Sequence, residues 1–296
     1  MSNLISKLTH SIIKKMLYTL PEEGEVCTTL IKSELENEKP SMIARFGSTE
    51  IKAILYPSFP FFIRPFIKNR VFSNMYTLSG FFPSNEETIH KFSKMMLEDM
   101  KLLDILGCWR VEEGFLQKYF PLAKRIKIST LEPYLQKNPW SEVLENKKVL
   151  VIHPFNTTIE KQYNNHREFL FADKRVLPKF KSFETIQAVQ TIAGTDSNFN
   201  DWFEALDYMK AEMNTKDYDV VIIGCGAYGF PLAAHAKRMG KKAIHLGGPT
   251  QMLFGVKGKR WVENENFKTI INEHFVYPDT TDTIKNASKV EDGCYW

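Results

Sequence analysis

The stretch Tyr218-Asp219-Val220-Val221-Ile222-Ile223-Gly224-Cys225-Gly226-Ala227-Tyr228-Gly229 decides the fold. An unbroken apolar run ends in a Gly-x-Gly-x-x-Gly turn. A helical pattern follows at once, with Pro231 in its first turn and Gly240 as its stop. A strand that delivers the chain to a helix N-terminus in this way presents free N–H groups and partial positive charge, which suit phosphate. The turn begins three-quarters of the way along the 296 residues, later than a dinucleotide fold usually places its fingerprint. A phosphorylated ligand other than NAD is the expectation.

Outward from that stretch, Lys148-Val149-Leu150-Val151-Ile152 and Ala243-Ile244-His245-Leu246 are too apolar to have a wet face, as buried parallel strands are. Residues 41–46 and 125–129 read as shorter strands. Helices are expected after Gly47 with Ser48 as cap, over residues 85–106, 157–169 and 199–213, and over 228–239. Residues 56–83, rich in Phe and Pro, read as a long loop with short helices. Alternating strand and helix predicts an α/β fold, a mostly parallel sheet with helices on both faces. Residues 1–38 read as an N-terminal helical extension and residues 39–296 as one domain.

The composition sets limits on function. With 39 basic and 35 acidic residues the net charge of +4 is too small to argue for nucleic acid. The four cysteines, Cys27, Cys108, Cys225 and Cys294, form no Cys-x-x-Cys pair, and so few fit a reducing compartment. Residues 1–20 carry scattered lysines and read as an amphipathic helix and not as a signal peptide. No stretch has the roughly 18 apolar residues of a spanning helix. The expected location is the cytoplasm, with peripheral contact at the inner face of the membrane allowed by the aromatic segment 56–82 and its Arg64, Lys68 and Arg70.

Open α/β sheets bind ligands beyond the carboxyl ends of their strands. That rule selects residues 45–50, 129–132, 153–156, 224–229 and 247–251. In the first, Arg45 suits phosphate, while Glu50 serves either catalysis or the helix dipole. His153 is a candidate base or hydrogen-bond donor, or a histidine packed under Pro154 and Phe155. Asn156, Thr157 and Thr158 read as caps of the next helix. Gly47, Ser48, Gly224, Gly226 and Tyr228, with Gly247, Gly248 and Gln251, are candidate residues for binding the phosphorylated ligand. A loop with Lys257, Lys259 and Arg260 either closes over a pyrophosphate or is simply solvated. Asp217-Tyr218-Asp219 stands at the entry end of its strand, so a metal-binding Asp-x-Asp reading is rejected. The strand after the glycine turn ends His245-Leu246-Gly247-Gly248, without the acid that would hold a nicotinamide cofactor's ribose. Neither nicotinamide nor flavin is expected.

The segments Arg45-Phe46-Gly47-Ser48-Thr49-Glu50, His153-Pro154-Phe155, Gly224 to Gly229, His245-Leu246-Gly247-Gly248 and Gly258-Lys259-Arg260-Trp261 resemble bacterial proteins encoded with surface-polysaccharide genes. More distantly these are similar to glycosyltransferases of the GT-D fold. The resemblance spans about residues 40–296. It implies a Rossmann-like domain that takes a nucleoside-diphosphate sugar and passes the sugar to a glycan or lipid-linked acceptor. GT-D enzymes carry an Asp-x-Glu motif at this turn, associated with a divalent metal. Glu50 matches its acid, as catalytic group or as ligand to Mn2+ or Mg2+, but Ser48 stands where the Asp would be. That substitution keeps a second expectation open, a protein that binds nucleotide sugar without turnover in a polysaccharide assembly complex. Glu50 and His153 are both candidates for the base.

Overall fold

The computed structural model describes residues 21–195, 197–284 and 291–296. The amphipathic helix expected over residues 1–20 lies outside the described residues. Among these, seven strands form one all-parallel sheet in the order β3-β2-β1-β7-β6-β4-β5. They are β1 (Ser41–Ala44), β2 (Ile105–Cys108), β3 (Lys124–Lys127), β4 (Lys148–His153), β5 (Ser182–Gln187), β6 (Val220–Ile223) and β7 (Lys242–His245).

Side-chain alternation along the strands builds two separate cores. Met42, Leu150, Ile152, Val221, Ile223 and Ala243 point to one face. There they meet α2 (Ser48–Leu55), α3 (Arg64–Ser79), α4 (Glu86–Asp99), α6 (Trp202–Asn214) and α7 (Gly229–Arg238). Ile43, Val149, Val151, Val220, Ile222 and Ile244 point to the other. This face is covered by α1 (Glu25–Glu36), α5 (Asn156–Leu170), α8 (Pro249–Leu253) and the chain after it. A strand with both sides covered has no use for polar residues, which explains the apolar runs of β4 and β6. α1 buries Cys27, Ile31 and Leu35 completely against the sheet, and Glu22 bridges to Ile126. The described part of the expected extension thus packs on the sheet.

Several local expectations are corrected. The helix expected over 85–106 ends at Asp99, and Ile105–Cys108 is a sheet strand. β5 had no expectation at all: it is an edge strand whose side chains are mostly half-exposed, so its sequence lacks a core strand's apolar run. Residues 56–83, expected as a long loop with short helices, contain the 16-residue helix α3, with Pro65 tolerated because it sits in the first turn. Ser48 is not a cap: Gly47 holds that position and no side chain caps α2. Nor do Asn156, Thr157 and Thr158 cap α5. The Asp282 carboxylate does so from far along the chain, accepting from Thr158 N at 2.8 Å and from Thr158 Oγ1 at 2.6 Å.

Candidate active site

The strand order reverses between β1 and β7. The chain runs outward from β1 to β2 and β3, while β7 is reached from the β4 and β6 side. A crevice opens at such a switch point. Here it is a cleft of about 530 Å³ walled by the ends of five adjacent strands, β2, β1, β7, β6 and β4. Its lining includes Arg45, Gly47, Ser48, Glu50, His153, Gly224, Gly226, Gly247, Gly248, Gln251 and Arg260. The sequence-predicted site residues thus gather in one hollow, with three exceptions. Tyr228 is turned into the core, stacked on Trp202 with its hydroxyl 3.3 Å from Thr191 Oγ1. Lys257 lies over the Tyr277 ring, and Lys259 is exposed outside the cleft. Only Arg260 of the basic cluster reaches the cleft wall, where its Nη1 donates to the Tyr295 hydroxyl at 3.2 Å. Residues 129–132 do not line the cleft.

The glycines of the 224–229 turn have different causes. A Cβ on Gly224 would lie 2.6–2.7 Å from Thr250 Oγ1, the Gly247 carbonyl and the His153 ring. One on Gly229 would lie 2.3 Å from His245 Nε2. Both are demanded by packing of β6, β7 and α7. Gly226 has room around it but holds φ +56, the left-handed conformation that favours glycine. The turn therefore brings backbone close to the cleft for packing reasons before any ligand is considered.

Three helical segments begin at the cleft without a side-chain cap: α2 after Gly47, the 3-10 turn Gly226–Tyr228 that leads into α7, and α8 after Gly248. α2 and the 3-10 turn present first-turn N–H groups without intrahelical partners, the usual backbone arrangement for an anion. α8 does not, because Pro249 has no N–H and the Thr250 and Gln251 N–H groups already donate to the Gly247 and Gly248 carbonyls at 3.0 and 3.2 Å. Arg45 is set among them. Its Nη2 donates to the Phe46 carbonyl at 3.2 Å, its guanidinium lies over the Trp109 ring at 4.9 Å, and it abuts Gly247. Burial lowers its pKa, with the Glu50 charge pulling the other way; a guanidinium stays protonated nonetheless. Arg45 and Glu50 do not form an ion pair. Glu50, buried at 8% exposure, folds back over Gly47 and accepts from Thr49 Oγ1 at 2.9 Å.

His153 has a fixed tautomer. Its Nδ1 accepts the Phe155 N–H at 2.9 Å, so the neutral ring carries its proton on Nε2. Burial lowers its pKa to about 3. Such a ring donates a hydrogen bond and is a poor base. His245, also lowered to about 3 by burial, packs against Gly229. Burial raises the pKa of the Cys225 thiol, so that cleft residue stays protonated and inert as a nucleophile.

Sequence reasoning missed one whole wall. Trp109 and Arg110 follow the unrecognised β2, and Tyr295 and Trp296 come from the far end of the chain. The 2.8 Å bond from Trp109 Nε1 to the Phe46 carbonyl ties the β2 and β1 ends together. Gln251 Nε2 donates to the Tyr295 carbonyl at 3.1 Å, which gives that residue a positioning task. The short apolar run Ile105-Leu106-Gly107-Cys108 was the signal for β2. Nothing local marks residues 295 and 296 as cleft residues.

The donor set does not fit a divalent ion held by protein alone. Glu50 is the one carboxylate among the cleft-lining residues, and hard cations prefer several oxygen ligands. Among the described residues no cluster of three His, Cys, Asp or Glu side chains has a metal-binding arrangement. Asp217 and Asp219 are occupied elsewhere: Asp217 pairs with Lys148, and Asp219 accepts the Lys148 N–H at 2.8 Å.

No family model and no curated protein matches the chain. Its solved structural neighbours are domains of unknown function 1792. One, described as having a distinct glycosyltransferase fold, is 14% identical with a TM-score of 0.47, covering 92% of this chain and 96% of its own. Another, described as a new glycosyltransferase from Streptococcus sanguinis, is 14% identical with a TM-score of 0.37, covering 85% and 94%.

Proposed function

We propose that the protein is a glycosyltransferase that moves a sugar from a nucleoside-diphosphate sugar to a glycan or lipid-linked hydroxyl. The observation that carries this reading is the convergence of Arg45 and two uncapped helical starts, α2 and the Gly226–Tyr228 turn, on one cleft with a single carboxylate, Glu50. Departure of the diphosphate is the costly event in such a transfer. Fixed N–H groups and a guanidinium stabilise that leaving charge without reorganising. Glu50 takes the proton from the acceptor hydroxyl as its oxygen bonds to the anomeric carbon. The anomeric carbon's bond to the diphosphate oxygen breaks, and the electron pair leaves with the phosphate. His153 Nε2–H donates a hydrogen bond into the cleft, in keeping with its tautomer. Arg45, with Arg260 also lining the cleft, offsets the phosphate charge that a metal would otherwise balance. Work on surface polysaccharide at the cytoplasmic side follows from this reading.

The test is release of nucleoside diphosphate from a panel of nucleotide sugars in the presence of acceptors. Glu50→Gln should lower turnover by about two orders of magnitude or more while donor binding persists. Undiminished turnover removes Glu50 from the mechanism. Ser48, in place of a second acid, favours one rival, a nucleotide-sugar-binding module. Tight calorimetric binding with no turnover on any acceptor would establish that rival. Absence of nucleotide-sugar binding defeats both.

A further inference from the structure

Between Glu50 and Glu86 the chain has no acidic residue, yet it carries Lys52, Arg64, Lys68 and Arg70. Over the same stretch lie the three most exposed aromatic side chains of the described residues: Phe61 is 82% exposed, Phe62 58% and Phe66 86%, with Phe59 beside them. We propose that this knuckle, residues 59–66 with the first turns of α3, docks on an anionic lipid bilayer.

The knuckle is rigid. The Arg64 guanidinium donates to the Phe59 carbonyl at 2.9 Å and to the Pro57 carbonyl at 2.6 Å, clamping the loop from inside. Ile63 N and Phe66 N close turns onto the Pro60 and Ile63 carbonyls. Phe61 and Phe62 stand edge to face, 5.6 Å apart, and Phe66 lies one helical turn on from Phe62. The backbone that carries the three rings is tied in place by these bonds, so ordering the loop is not a cost of insertion, and aromatic rings suit the headgroup boundary. Arg64 brings positive charge to the base of the knuckle. Arg70 is exposed one turn beyond Phe66, and Lys68 reaches the same region from its pairing with Glu86 at 3.2 Å. Rings flanked by Arg64 and Arg70, on a stretch of chain that carries no acid of its own, match a surface of acyl chains under anionic headgroups. A protein partner would need acids ringing an apolar socket, whereas a bilayer offers both everywhere.

The position of the knuckle matters for the cleft. α3 has 16 residues, about 24 Å of rise, and its far end places Leu78 in the cleft wall. Phe66 and Leu78 are separated by about 18 Å of helical rise, so docking by the Phe66 end keeps the Leu78 side of the cleft within about that distance of the headgroups. The conclusion that a lipid-linked acceptor is the one served rests on the transferase reading. The docking itself does not, and its assay contains no donor.

The experiment is co-sedimentation of the full chain with vesicles of phosphatidylcholine alone or mixed with phosphatidylglycerol. The unaltered protein should pellet with the mixed vesicles, less so as salt rises. The F61S/F62S/F66S variant should lose binding by about tenfold or more at unchanged melting temperature. A fluorophore on Phe61→Cys labels selectively because the four native cysteines are buried, and its emission should shift to the blue only when mixed vesicles are added. Three results overturn the proposal. One is equal binding by the variant. Another is a label already in apolar surroundings before lipid, meaning that residues 1–20 or a second copy cover the face. The last is a dimer that the substitutions dissociate. If vesicles bind while no nucleotide sugar is turned over, the docking stands and the transferase reading falls.

Discussion

Gly47 and Glu50 act as a pair. A Cβ on Gly47 would lie 1.7 Å from Glu50 Oε2, so any side chain there must displace the carboxylate. Gly47→Ala should therefore abolish turnover nearly as fully as Glu50→Gln, at a stability cost of about 1 kcal/mol for the altered cap position. The double variant should be no worse than either single one, because both remove the same group. Steady-state rates with thermal melts check this, and additive losses would break the link. Arg45 gives a second test. It lies over Trp109 and against Gly247, a planar fit that an ammonium cannot reproduce. Arg45→Lys should weaken nucleoside-diphosphate binding by roughly ten- to a hundredfold in calorimetry. Equal affinity would show that the cation's shape is irrelevant there.

At the scale of elements, burial explains much of what was legible, with β3 as the exception: this edge strand was expected over residues 125–129 and lies at Lys124–Lys127 although two of its four residues are exposed. β4, β6 and β7 were readable because both faces of each are covered, so their sequences are continuous apolar runs. β5 was not, because an edge strand with half-exposed residues obeys no such pattern. β2 is only four residues and follows a helix closely enough to read as its tail. The same rule sorted the site: residues next to readable strands were found, and Trp109 and Arg110 after β2 were missed. Contacts made at long range in sequence were illegible in principle. Asp282 capping α5 is the sharpest case, with the carboxylate 124 positions along the chain from Thr158. Asp282→Ala removes the acceptor of a buried N–H and a buried hydroxyl, and should cost about 1–3 kcal/mol by urea unfolding. Asp282→Asn keeps an acceptor at the same place and should recover most of that loss. An alanine variant with the native urea midpoint would mean that the α5 N-terminus is satisfied otherwise.

At the scale of the whole molecule, the sheet order brings two buried histidines to one end of the fold, His153 at the tip of β4 and His245 at the tip of β7, separated by β6. Both have pKa values lowered from 6.5 to about 3 by burial, so both stay neutral in the native state well into acid. In the unfolded chain they protonate as pH falls through 6.5. Between those limits the unfolded state binds more protons, so stability rises with pH. The contribution is complete above pH 6.5 and is lost progressively as pH falls toward 3. Each histidine adds a slope of about 1.4 kcal/mol per pH unit within that window. Asp99 and Glu132, carboxyls whose pKa values are raised by burial, act in the opposite direction, but they are unchanged in a histidine variant and cancel in the difference. His153→Asn retains an acceptor for the Phe155 N–H and cannot titrate. Between about pH 6.5 and about pH 5 the native protein should lose roughly 2 kcal/mol more than this variant, read from urea midpoints at the two pH values. Parallel losses in the two proteins would place the His153 proton affinity near its unfolded value. The Nε2–H donor assigned to it in the cleft would then have to share the ring with a second proton at neutral pH.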